Sequence, residues 1–316
     1  MKKNFFKYLL VLICFYFIYR FFNENRNVYE ILKYTNYSIV IYLVFFLIIT
    51  IYLYAQLIFI ILKNLCKIKV SKKKWYLIYF NSQFLNSIPL LGIFYRALQL
   101  KKLNLNYDKF FGIYILVNWF FIFLSLILFS IESFFIFHNV KFFNINLYII
   151  LFILSLFFFI IPIFALIISK KILEKINLKS NYIISRIKKL IDLFLLSISS
   201  KVFLKKFILV FILIHFVELI ILVQLIEMLN NNVGIKSSFV IFMGNILIDA
   251  INILPQNLII SEFGLGLLTS KINFNFELGV IIKLYYRFLV FFASVFIAII
   301  YNIFIFFKYL RKNGKI

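Results

Sequence analysis

The sequence predicts an all-α polytopic membrane bundle, with about six full spans and two opposed re-entrant helical hairpins in an inverted repeat. Three observations carry this prediction. The chain is 65% hydrophobic and only 15% charged over 316 residues, with a mean hydropathy of +1.04. A soluble domain has about 25% charged residues, and no water-soluble fold covers so much apolar surface. The 35 Lys and Arg fall in a few short segments between apolar runs, which orients the chain by the positive-inside rule. Two apolar stretches are interrupted by Pro and Gly at corresponding places, the sequence mark of broken helices around a transport site.

The first element is an apolar run at 5–22, preceded by Lys2, Lys3 and Lys7. It is similar to a signal peptide, but Arg20, Phe21 and Phe22 follow instead of a small-residue cleavage site, so it reads as a retained helix. Further uninterrupted spans are expected at 39–62, 110–131, 145–169, 207–226 and 279–307, each near the roughly 20 residues that cross a hydrocarbon core. Stretch 75–100 is broken by Pro89 and Gly92, and stretch 238–270 by Pro255, Gly264 and Gly266.

The basic residues arbitrate how these two stretches run. If both crossed, segment 170–206 with its ten Lys and Arg would face outside. If each dips in and returns, segments 1–8, 63–74, 96–109, 170–206 and 308–316 lie inside with 27 of the 35 cations, against five in the outer segments. The expected topology therefore places both termini in the cytoplasm of a cell (inner) membrane. Its halves, 35–169 and 207–307, have opposite orientation and flank the linker 170–206, with 1–34 and the tail 308–316 at the ends. Asn86-Ser-Ile-Pro89 echoes Asn252-Ile-Leu-Pro255, and only three prolines exist in the chain. The plain alternative is that the prolines kink two ordinary helices.

In the linker, apolar residues recur from Ile183 at 184, 187, 190, 191, 194, 195 and 198, with Arg186, Lys188 and Lys189 off that stripe. This pattern suits an amphipathic helix on the inner leaflet, its cations meeting anionic headgroups, or a linker helix packed on the protein. The net charge of +24 is thereby referred to lipid, and no nucleic-acid partner is expected.

Charges inside the spans need partners or water. Arg96 stands at the mouth of the first hairpin, as a headgroup ligand or a snorkelling anchor. The second half holds His215, Glu218, Asp249, Glu262, Lys283 and Arg287, and five of the 11 acidic residues lie within 218–277. Lys283 and Arg287 share one helix face and can meet Glu262 on the hairpin, either as a structural ion pair or as a hydrated headgroup pocket. Asn245, Asp249 and Asn252 form a polar stripe at helical spacing. His215 and Glu218, three apart, make a possible proton relay. Cys14 and Cys66 give no disulfide framework. No metal or cofactor is expected, and no glycine-rich nucleotide loop or acyl-transfer triad points to an enzyme.

The stretch Asn86-Ser-Ile-Pro89-Leu-Leu-Gly92-Ile-Phe-Tyr-Arg96, followed by Lys101 and Lys102, resembles the first motif of the lysylphosphatidylglycerol synthase transmembrane, or flippase-like, family. Leu254-Pro255-Gln256-Asn257-Leu258-Ile-Ile-Ser-Glu262 resembles the second, and Arg287 fills the place of an Arg on the last helices. Ile93 stands at the family's first-motif Glu, and Gln256, Asn257 and Ile259 stand at its second-motif glycines. The resemblance implies a lipid translocator (of phospholipid or lipid-linked glycan) with Asn86, Pro89, Gly92, Arg96, Asp249, Asn252, Pro255, Gln256, Glu262, Lys283 and Arg287 along its path. Two alternatives are a membrane transferase using Asp108 or Glu227, and a non-transporting partner that holds a glycosyltransferase or lipid-modifying enzyme.

Overall fold

A computed structural model describes residues 37–86, 91–136, 141–142, 145–175, 182–229, 233–250 and 260–312. The first expected span, 5–22, lies outside these residues. Among the described residues the chain is almost wholly helical. In order the helices are α1 (Tyr37–Asn64), α2 (Lys72–Leu85), α3 (Leu91–Lys101), α4 (Tyr107–Ile136), α5 (Leu147–Lys175), α6 (Tyr182–Ser199), α7 (Lys201–Leu229), α8 (Ile235–Ala250), α9 (Ile260–Lys271) and α10 (Phe276–Lys312). A short antiparallel ribbon, β1 (Lys141–Phe142) with β2 (Ile145–Asn146), joins α4 to α5. Among the described residues five helices are long and apolar enough to cross a membrane: α1, α4, α5, α7 and α10.

The two interrupted stretches are each a pair of short helices, α2 with α3 and α8 with α9. At about 1.5 Å per residue none of the four reaches ~30 Å. The chain divides into two compact units, one made of 1–51, 77–95 and 218–316, the other of 52–76 and 96–217.

In the first unit α8, α9 and α10 stack antiparallel. Gly244 faces Leu268 and Gly264 faces Ile248 across one contact; Gly279 meets Leu265 and Thr269 across the other. A Cβ on Gly279 would lie 2.3 Å from the Leu265 carbonyl oxygen, so only a glycine lets these backbones come so close. Helix α9 ends with Asn273 in the left-handed conformation (φ 67°), and the Phe274 N–H closes onto the Thr269 carbonyl at 3.0 Å, a Schellman-type cap. Helix α2 packs on the far part of α10 through Phe80 against Tyr301 and an Asn302–Asn81 hydrogen bond of 2.6 Å.

In the second unit α4 packs along α5, and α6 rests on both. Trp119 of α4 stacks on Phe159 and meets Phe194 of α6, which is buried with Ile191 and Ser197. The described end of the linker's apolar stripe is thus occupied by protein. Pro162 sits inside α5. Lacking an N–H, it cannot bond the carbonyl four residues back, that of Phe158. The Trp119 indole N–H donates to that carbonyl at 2.9 Å, restoring a bond that lipid cannot supply.

Candidate functional site

The polar residues of the first unit converge where both arms of the second hairpin adjoin residues 251–259. Asn245 and Asp249 lie one turn apart near the C-terminal end of α8, Ser261 and Glu262 in the first turn of α9, and Lys283 and Arg287 one turn apart on α10. The Lys283 ammonium donates to Asn245 Oδ1 and to Asp249 Oδ2, both at 2.6 Å, and lies 5.8 Å from the centre of the Tyr286 ring. Arg287 Nη1 pairs with Glu262 Oε1 at 2.5 Å, and Nη2 donates to Ser261 Oγ at 2.6 Å. The Ser261 hydroxyl donates in turn to Glu262 Oε2 at 3.2 Å.

Local backbone accounts for the polarity of this arrangement. The C-terminal end of α8 presents its negative dipole end towards the level of Lys283, and the positive N-terminus of α9 favours the Glu262 carboxylate. Two cations are balanced by two carboxylates, the condition for keeping charges among apolar helices. Exposure is graded across the cluster. The side chains of Lys283 and Glu262 are 4% and 11% exposed, those of Arg287 and Asp249 25% and 43%. One member of each pair is thus sealed and the other reaches out.

A family model described as Lysylphosphatidylglycerol synthase TM region matches residues 4–298, nearly the whole chain. The chain belongs to the lysylphosphatidylglycerol synthase TM region family. No match was found among curated proteins or among solved structures.

As a member of the lysylphosphatidylglycerol synthase TM region family, the chain can be read motif by motif. In the first motif, a Cβ on Gly92 would fall 2.0 Å from Asn86 Oδ1 and 2.2 Å from the Ser82 carbonyl oxygen. The glycine therefore lets the start of α3 close against the end of α2. Asn86 is held in turn by donating to Gln83 Oε1 at 2.9 Å. Pro89 lies outside the described residues, as do Asn252, Pro255 and Gln256 of the second motif. Arg96, one turn beyond Gly92 on α3, is 4% exposed, with its guanidinium 5.2 Å from the centre of the Tyr114 ring. The side chain thus turns inward beside the Tyr114 ring.

The sequence spacing paired His215 with Glu218. The structure places Glu132 of α4 beside His215, its Oε1 3.0 Å from His215 Nε2. Phe129 and Phe211 flank the imidazole. The separation of 83 positions in sequence hid that contact. Ser261 was also missed by sequence reasoning, although its place beside Glu262 was the available signal.

Proposed function

We propose that the chain is a lipid translocator of the cell membrane, handling phospholipid or lipid-linked glycan headgroups at the tip of the second hairpin. The observation that carries this reading is the charge-balanced cluster Lys283–Asp249–Asn245 and Arg287–Glu262–Ser261, set at the broken ends of α8 and α9. Helix ends aimed at ligands from interrupted segments are a recurring device of transporters. An Arg with a carboxylate partner exchanges it readily for a phosphate, which offers the same bidentate geometry. Arg287 is the partly exposed member of its pair and Asp249 of the other, so an entering headgroup meets one group of each sign.

One feature supports the re-entrant topology on which the reading rests. The antiparallel pairing of α8 with α9 brings residues 235 and 271 to one end. With the basic segments inside, both termini are cytoplasmic.

The test is reconstitution into liposomes with labelled phospholipid or polyprenyl-linked sugar. Wild type is expected to move label between leaflets, and Glu262→Gln with Arg287→Ala to abolish the movement. Equal movement by both removes the site. Single cysteines at 104 and 231 should label from opposite sides; labelling from the same side overturns the topology.

A further inference from the structure

Beyond the hairpin cluster, a second charged feature lies in the other compact unit. Segments 63–74 and 101–109 carry Lys63, Lys67, Lys69, Lys72, Lys73, Lys74, Lys101, Lys102 and Lys109, with Asp108 as their one acidic residue. All nine lysines are exposed. Both segments belong to the same compact unit.

This surface is held in shape from beneath. Trp75, fully buried, donates its indole N–H to the Ala55 carbonyl at 2.7 Å, and the Tyr76 hydroxyl donates to Gln56 Oε1 at 2.5 Å. These bonds fix the start of α2, and with it Lys72 to Lys74, onto α1. Beyond α3, Asn104 is left-handed (φ 63°) and the Leu105 N–H closes onto the Leu100 carbonyl at 3.1 Å, with both leucines buried, a second Schellman-type cap. Lys67 adopts the same backbone region (φ 52°). That conformation is disfavoured for lysine, and only a turn fixed by its surroundings keeps it. Lys72 and Lys101 lie over the rings of Tyr76 and Tyr107, at 5.5 and 4.9 Å. Lys63 and Lys109 mark the points where the apolar helices α1 and α4 end and begin.

We infer that this lysine surface is a binding site for the phosphate of anionic lipid headgroups, selecting them over zwitterionic lipids at the two open ends of α2 and α3. Its place at the ends of two apolar helices puts the ligand in the adjoining leaflet. Nine cations against one acid set the sign of that ligand. Orientation by the positive-inside rule requires only charge on one side; the pinned turns and ring-backed ammonium groups add a fixed geometry, hence selectivity. The inference stands independently of lipid translocation.

The test uses the full chain in phosphatidylcholine vesicles with spin-labelled phosphatidylglycerol or spin-labelled phosphatidylcholine as the probe. The wild type is expected to hold the anionic probe at least about five-fold more than the neutral one, one exposed lysine near an anionic surface contributing about that factor. Replacing Lys72, Lys73 and Lys74 with Gln should lower the ratio several-fold, and replacing them with Arg should keep it. A matched variant with Lys201, Lys205 and Lys206 replaced by Gln removes the same charge elsewhere in the unit and should leave most of the preference. Equal loss in both Gln variants would reduce the effect to net charge and overturn the site. Release of the probe by polyglutamate would overturn it too, in favour of an acidic protein. An unaltered ratio in the Lys72–Lys74 variant refutes it directly.

Discussion

Trp119→Phe is expected to destabilise the protein chiefly because of a proline 43 residues away. The indole N–H of Trp119 bonds the Phe158 carbonyl, 2.9 Å distant, and Pro162 is the residue that leaves that carbonyl without its helical donor. Removing the indole N–H leaves a backbone acceptor among apolar groups, at a cost of about 1–3 kcal/mol. The same substitution disturbs the stack on Phe159 and the contacts with Phe120 and Phe194, which adds a packing loss independent of the proline. A double-mutant cycle separates the two. In a Pro162→Ala background the helix donates to Phe158 itself, so Trp119→Phe should cost about 1–2 kcal/mol less there than in wild type. The assay is denaturant-induced or thermal unfolding in detergent micelles, followed by far-UV circular dichroism, for the four proteins of the cycle. If Trp119→Phe costs the same in both backgrounds, the carbonyl is satisfied some other way and the argument fails.

Three further predictions rest on other contacts. Glu262→Gln and Arg287→Gln should each lower the unfolding midpoint, because each leaves a partner charged in an apolar setting at about 3–5 kcal/mol; the double variant should recover part of the loss, and simple additivity would show that the two do not act as a pair. Gly279→Ala should cost about 1–3 kcal/mol, since the added Cβ meets the Leu265 backbone; unaltered stability would show that α9 and α10 are not so close. Burial pushes the Cys66 thiol up from 9.0 to about 11, against the lowering effect of Lys109. At pH 8, in a Cys14→Ser background, its maleimide labelling should therefore be about 100-fold slower than for an open thiol. The folded thiol keeps its proton while the unfolded one ionises, so its share of stability is present below pH 9 and lost as pH rises towards 11. Ordinary labelling rates would contradict the burial.

The long helices were legible because the cost of unsatisfied backbone in lipid forces an apolar run to be helical, whatever its neighbours. The breaks near Gly92 and after Ala250 were legible for a related reason: Pro and Gly mark where a helix stops. The pairing of Arg287 with Glu262 followed from helical spacing and from the intolerance of lipid for isolated charge. The sequence put Asp249 in a polar stripe of its own and did not show that it takes Lys283. The contact of Glu132 with His215 was hidden, because it depends on which faces of α4 and α7 meet, and both faces are apolar almost throughout. Nor could the sequence show that Arg96 turns inward: a long side chain near a helix end satisfies the same pattern in either direction. The bond from Trp119 to Phe158 needed two helices to be in register, although Pro162 announced the vacancy it fills.

The hairpin cluster pairs two cations with two carboxylates through Lys283–Asp249 and Arg287–Glu262. Moving one elementary charge through a membrane potential of 100 mV involves about 2.3 kcal/mol. A site whose formal charges cancel does no such electrical work when it shifts as a unit. In the proposed translocation, voltage across the membrane would then act on the charge a lipid headgroup brings and not on this cluster, so the sign of the cluster's contribution to any voltage dependence would report the headgroup's own charge.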